Sequence, residues 1–237
     1  MTERDEHDRG LGRRIERDAL PAWRRITAGE PRWAASVAIV AVIALQLALP
    51  ERLNLSSRFL LPAIEAVLLV TLVAANPLRI DRVSTPLRWV SLTLIAVASL
   101  ANGYSAVRLV LEIVSGDHRV SAAALLATGG AVYLTNIIVF GLWYWDLDRG
   151  GPAARAAGLR RYPDFLFPQM TTPDVSDPDW EPQFADYLYV SFTNATAFSP
   201  TDTMPMHRWA KLLMAVQSVI ALATVAMVLA RAINILN

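Results

Sequence analysis

Hydrophobic positions along the chain fall into long unbroken blocks rather than alternating with polar ones. Five blocks stand out: Trp33 to Leu49, Phe59 to Ala75, Trp89 to about Val114, Ser121 to Trp145, and Trp209 to Leu236. Pro50 closes the first and Asn76-Pro77 the second. As helices, each is about long enough to cross roughly 30 Å of hydrocarbon. The dyad alternation of membrane strands is absent. The pattern predicts an all-α, polytopic helical membrane protein with five long transmembrane helices.

A shorter segment, Phe184 to Phe198, follows the fourth block. A helix of about 15 residues reaches roughly 22 Å, short of a full crossing. It carries Ser191, Thr193, Asn194 and Thr196, and Pro200 ends it. Non-helical backbone at membrane depth must be buried in protein or line an aqueous cavity. The segment therefore reads either as a re-entrant, pore-helix-like half-helix or as a short tilted span. Arg231, close to the chain's end, suits a cytoplasmic interface and tips the reading toward six crossings.

Arginines set the orientation. They crowd the first 32 residues and recur at Arg79, Arg82 and Arg88 and at Arg149, Arg155, Arg160 and Arg161; the alternate connectors hold Arg52, Arg58 and Arg119. By the positive-inside rule the N-terminus is cytoplasmic, in a bacterial inner membrane. Residues 1–32 read as a solvated charged tail with an interfacial helix near Ile15 to Ile26, and with Trp23 and Trp33 at headgroup level. Residues 33–145 read as a four-helix membrane bundle and 146–183 as a polar surface loop with a short helix at Pro152 to Arg161. Residues 184–237 read as the short helix, a Ser-Pro-Thr-Asp turn and the final span.

Composition narrows the class further. Hydrophobic residues make up 54% of the 237, too many for an ordinary soluble domain of this size. The lack of cysteine excludes disulfides and Cys-ligated metal, and a net charge of +1 gives no field for nucleic acid. His7, His118 and His207 lie on separate connectors, so neither a metal cluster nor a catalytic dyad is implied. Ser199 has no local base. The chain reads as a non-enzyme without cofactor or metal, its partner the lipid bilayer.

Polar residues inside the blocks are the remaining candidates. Glu65 and Arg108 fall at similar depth, where an unpaired charge costs about 2.5–3.5 kcal/mol at the bilayer centre. A Glu65–Arg108 pair is expected, with Glu112 competing one turn on. Its role is a structural clamp ahead of a proton or ion relay. Asn102 and Asn136 are expected to make interhelical hydrogen bonds, and Gln217 to pair with a neighbour or line a path. Gly103, Gly129, Gly130 and Gly141 are expected at close helix approaches.

The stretch "YLYVSFTNATAFSPTDTMP", Tyr187 to Pro205, resembles the pore helix and filter of two-transmembrane potassium channels. Tyr189, Ser191, Phe192, Thr196, Asp202 and Pro205 match by type or identity. Ser199, Pro200 and Thr201 stand where the filter's Gly-Tyr-Gly would be, and Pro200 cannot turn its carbonyl as a filter glycine does. Potassium selectivity is therefore not implied. The order of elements is also similar to an uncharacterised family of bacterial integral membrane proteins, on "DYLYVSF", "SPTDT", Arg208 and "ARAINIL". That likeness implies a fold and no activity.

Two functions follow as expectations. The first is an ion channel or small-solute conductance, with Asn194, Thr196, Ser199, Thr201 and Asp202 lining a polar constriction. The alternative is a non-conducting structural or interaction protein, with the same residues pairing helices. A pore loop implies a symmetric homo-oligomer, whereas a six-helix bundle can stand alone.

Overall fold

The computed structural model describes residues 21–115, 121–196 and 202–236. Within them the chain is mostly helical. Helices α1 (Trp33–Ala48) and α2 (Leu60–Ala75) have 16 residues each. Helices α3 (Thr85–Val114) and α4 (Ala122–Leu147) are longer. Two short helices follow, α5 (Pro152–Ala156) and α6 (Pro168–Thr171). The chain closes with α7 (Phe184–Thr196) and α8 (Arg208–Leu236).

Local chemistry sets the boundaries. Pro86 sits in the first turn of α3, where its missing N–H costs nothing. Ser121 caps α4, accepting the Ala124 N–H at 3.3 Å. The α4 helix stops where Arg149 enters the left-handed region at φ 49°. Gly150 and Gly151 continue there at φ 87° and 96°. A Cβ on Gly151 would lie 2.6 Å from Arg88 Nη1 and 2.8 Å from the Asp146 carbonyl, so this turn requires glycine.

Helix α4 is the central strut, packed against α1, α3, α7 and α8. A Cβ on Gly129 would come within 2.7 Å of Val228, and one on Gly141 within 3.2 Å of the Leu188 backbone. These glycines set the approach of α4 to α8 and to α7. Gly103 and Gly130 have nothing within 4 Å, so the close approach expected at them is not formed.

Among the described residues, three helices, α3, the one containing α4, and α8, are long and apolar enough to cross a membrane. Only 28% of the apolar window of α8 is buried. The rest of that apolar surface faces outward, as contact with lipid would favour.

The connectors divide between two ends. At one end, β1 (Glu30–Pro31) pairs antiparallel with β2 (Arg79–Ile80), and β3 (Phe165–Leu166) with β4 (Met204–Pro205). The end of α4, the residue 148–183 segment and the starts of α7 and α8 gather there. At the opposite end, Arg52 meets Glu112 at 3.0 Å and Ser105 Oγ donates to the Leu53 carbonyl. Arg231 lines a small cavity with Arg52 and Glu112 there, away from the basic end. Arg231 therefore does not lie at the end that carries Arg79, Arg88, Arg149 and Arg155, the end at which the sequence reading placed it.

Two further expectations change. Residues 22–32 are not a solvated tail, because Trp23, Glu30 and Arg32 are buried against the bundle's end. Trp23 lies under Arg149, whose Nη1 donates to its carbonyl at 2.5 Å, so it is not a headgroup anchor. The 146–183 segment is not wholly a surface loop either, since Phe165 and Phe167 are buried in the core. Ile15 to Leu20, in the expected interfacial helix, lie outside the described residues.

Candidate functional site

The site is the short helix α7 and what holds it. Its start is fixed at the basic end. The Phe184 N–H donates to Glu30 Oε1, and the Tyr187 hydroxyl donates to Asp148 Oδ2 at 2.6 Å. Asp148 Oδ1 also accepts the Asp164 N–H at 2.8 Å. Thirteen residues of helix rise about 20 Å, so α7 ends part-way along the bundle. The chain is back at the basic end by Pro205, which pairs with Phe165. Trp209 Nε1 donates to Asp164 Oδ1 at 3.2 Å at the start of α8. Phe184 to Pro205 therefore begins and ends at one end of the bundle. The end-to-end run along the bundle that a sixth crossing would need is not made by these residues. The sequence missed the return because it depends on a two-residue strand pair with no periodic signal.

Half-way along, α7 is locked by polar contacts. Gln217 of α8 is fully buried, and its Nε2 donates to Ser191 Oγ at 2.7 Å and to the Ser191 carbonyl at 2.9 Å. Gln217 Oε1 accepts from the Tyr144 hydroxyl at 2.5 Å and from Asn194 Nδ2 at 2.8 Å. Asn194 Nδ2 also donates to the Met214 carbonyl at 3.0 Å, and Ser191 Oγ to the Ile137 carbonyl at 2.6 Å. One glutamine thus ties α4, α7 and α8 together. Each donor finds an acceptor in surroundings with little competing water.

The other expected site residues scatter. Thr196 Oγ1 turns back to the Phe192 carbonyl of its own helix, and Thr196 and Asp202 are both exposed. Ser199 and Thr201 lie outside the described residues. The Glu65–Arg108 pair is not formed: Glu65 Oε1 accepts from Gln46 Nε2 of α1 at 2.9 Å, while Arg108 is exposed on α3. Glu112 takes Arg52 instead. Helix rotation decides this, because Ser105 and Leu109 of α3 are buried and Arg108 turns outward. Asn102 Oδ1 and both side-chain polar atoms of Asn136 are buried without a hydrogen-bond partner, so the interhelical bonds expected of them are not made.

A second polar cluster at the basic end was not visible in the sequence. Arg155 Nη2 lies 3.7 Å from Glu30 Oε2, which accepts the Trp145 Nε1–H at 2.6 Å. Arg155 Nη1 donates to the Trp145 and Asp148 carbonyls, and its guanidinium covers the Tyr187 ring. Burial pushes the Glu30 carboxyl above its ordinary range, against the opposing pull of Arg155. His207 Nδ1 lies 2.7 Å from Asp164 Oδ1, a His–Asp contact that separate connectors did not imply. Directly bonded partners at this end are as much as 154 positions apart along the chain (Phe184 and Glu30), so no local motif marks them. They fasten the N-terminal segment, the end of α4 and the start of α7 into one cap. Comparison of the chain with protein-family models, with curated proteins and with solved structures returns no match.

Proposed function

We propose that the chain is a multi-pass membrane protein in which α1 to α4 and α8 cross the bilayer and α7 enters and leaves it from one side. The basic end is cytoplasmic, in keeping with the arginines gathered there. Helices α1 and α2 rise about 24 Å each, which local thinning of the bilayer accommodates.

The proposed activity is conductance of ions or small solutes without potassium selectivity. The observation that carries it is the return of Pro205 to Phe165 after the half-length helix α7. A half-helix that enters and leaves on one side is the arrangement of a pore loop. Tyr189, Phe192 and Thr196 form an exposed stripe on α7, and Asp202 is exposed beyond it. Polar groups at membrane depth need protein or water around them, which supports a homo-oligomer with the exposed α7 stripe and Asp202 toward its axis. Ser199-Pro200-Thr201 supplies no glycine-built carbonyl ring, so the constriction is polar rather than potassium-selective.

A second reading is favoured by the Gln217 cluster. Ser191 and Asn194 are bonded to neighbouring helices instead of facing an open path. A non-conducting structural or interaction protein would use them this way. Flux of sodium, potassium and rubidium into proteoliposomes separates the two. Conductance predicts flux above empty vesicles that falls in Asp202→Ala; well-folded protein without flux leaves the non-conducting reading.

A further inference from the structure

A cleft of about 120 Å³ opens at the basic end between the end of α2, the start of α3 and the glycine turn after α4. Its charged lining is three arginines, Arg32, Arg82 and Arg88, against one carboxylate, Asp146. Arg88 is already engaged with the Gly150 carbonyl. Arg32 is not satisfied in the same way. It is only 8% exposed, and its Nε donates to the Asn76 carbonyl at 2.6 Å. Among the described residues no carboxylate pairs with it and its terminal amino groups make no hydrogen bond. A buried guanidinium without a counter-charge is costly unless an anion completes it.

The same cleft receives the N-terminus of α3. Ser84, its N-cap, lines the cleft with Thr85 and Leu87 and makes no side-chain capping bond, so the first turn's N–H groups have no acceptor on that side chain. On the far wall, Asp146 Oδ1 accepts from Ser91 Oγ at 3.1 Å, while Oδ2 is buried with no partner. The cleft thus offers a buried unpaired cation and a helix N-terminus to an anion, and has Asp146 in its wall as an acceptor for a hydrogen-bond donor. Leu72, Ile80 and Leu87 add apolar wall where the helices meet the proposed membrane surface.

We propose that this cleft binds the headgroup of an anionic phospholipid, with the phosphate on Arg32, Arg82 and the start of α3 and a headgroup hydroxyl on Asp146. Basic pockets between helix ends on the cytoplasmic side suit such headgroups. This proposal shares the membrane reading above but is independent of whether the protein conducts.

The test uses full-length protein stripped of lipid in neutral detergent. Binding is followed by thermal unfolding and native mass spectrometry with short-chain phosphatidylglycerol, short-chain phosphatidylcholine or inorganic phosphate. Phosphatidylglycerol is expected to bind and to raise the unfolding temperature. Phosphatidylcholine and inorganic phosphate should do so at least about tenfold more weakly, since each lacks part of the contact set. Exposed Arg82→Ala, which leaves the core intact, should weaken phosphatidylglycerol roughly tenfold, and Arg32→Gln more. Equal binding by phosphatidylcholine, or an unchanged affinity in both variants, overturns the site. Inorganic phosphate matching the lipid overturns the lipid as its occupant.

Discussion

Gln217 Nε2 donates to Ser191 Oγ at 2.7 Å, joining the last helix to the short one at half depth. The carboxamide oxygen of the same residue takes Tyr144 and Asn194, so both ends of one side chain are used. Replacing Gln217 by Leu keeps the volume, leaves the buried Tyr144 hydroxyl without a partner and removes bonds from Ser191 and Asn194. Single interhelical bonds in membranes are worth about 0.6 kcal/mol on average, so losing this set should cost roughly 1–3 kcal/mol. Thermal or denaturant unfolding in detergent checks it. A loss below about 0.5 kcal/mol would show that the cluster does not hold α7.

The glycines give a paired test. Gly129→Ala places a methyl within 2.7 Å of Val228 and should destabilise by about 1–3 kcal/mol through overpacking. Gly130→Ala meets open space and should stabilise by up to about 1 kcal/mol through helix propensity. The two neighbours should shift the unfolding midpoint in opposite directions. A common direction would contradict the α4–α8 approach.

Glu65 and Arg108 should be energetically independent. In a double-mutant cycle of Glu65→Gln and Arg108→Ala, the two effects should add within about 0.5 kcal/mol. Glu65→Ala should cost more than Glu65→Gln, since Gln46 then loses its acceptor. Coupling above about 1 kcal/mol would restore the ion pair that the structure does not form.

Glu30 makes stability depend on pH in an unusual direction for a carboxylate. Its folded pKa is raised by burial above the ordinary value of 4.5, so the folded state holds this proton more tightly than the unfolded state. The contribution of Glu30 therefore falls as pH rises from 4.5 through the raised folded value, and levels off above it. Measured against Glu30→Gln, wild type should lose relative stability over that window. A difference that stays flat or grows with pH would contradict the burial of Glu30 as the dominant influence.

The long helices were legible because apolar blocks of that length have few alternatives. Their rotations were not. Arg108 and Ser105 sit three residues apart, yet one faces out and the other is buried. A block apolar on every side gives no stripe from which to read that choice. Gln217 was legible as a polar residue in an apolar helix, while its partners on α4 and α7 required the three-dimensional packing. The cap built from Glu30, Arg155 and Asp148 was hidden for a related reason. Its members look like ordinary loop charges until the chain folds them together. The pore-helix-like stretch was recognised by its residues, but its return to the starting end rests on the pairing of Phe165 with Pro205.

That return is the claim on which the account turns, and the chain's lack of cysteine makes it directly measurable. Single cysteines at Gln183, Asp202 and Asn234, all exposed, can be labelled in sealed vesicles with a membrane-impermeant maleimide. The account predicts that Gln183 and Asp202 react from one side, the cytoplasmic side, and Asn234 from the other. Labelling of Gln183 and Asp202 from opposite sides would contradict it.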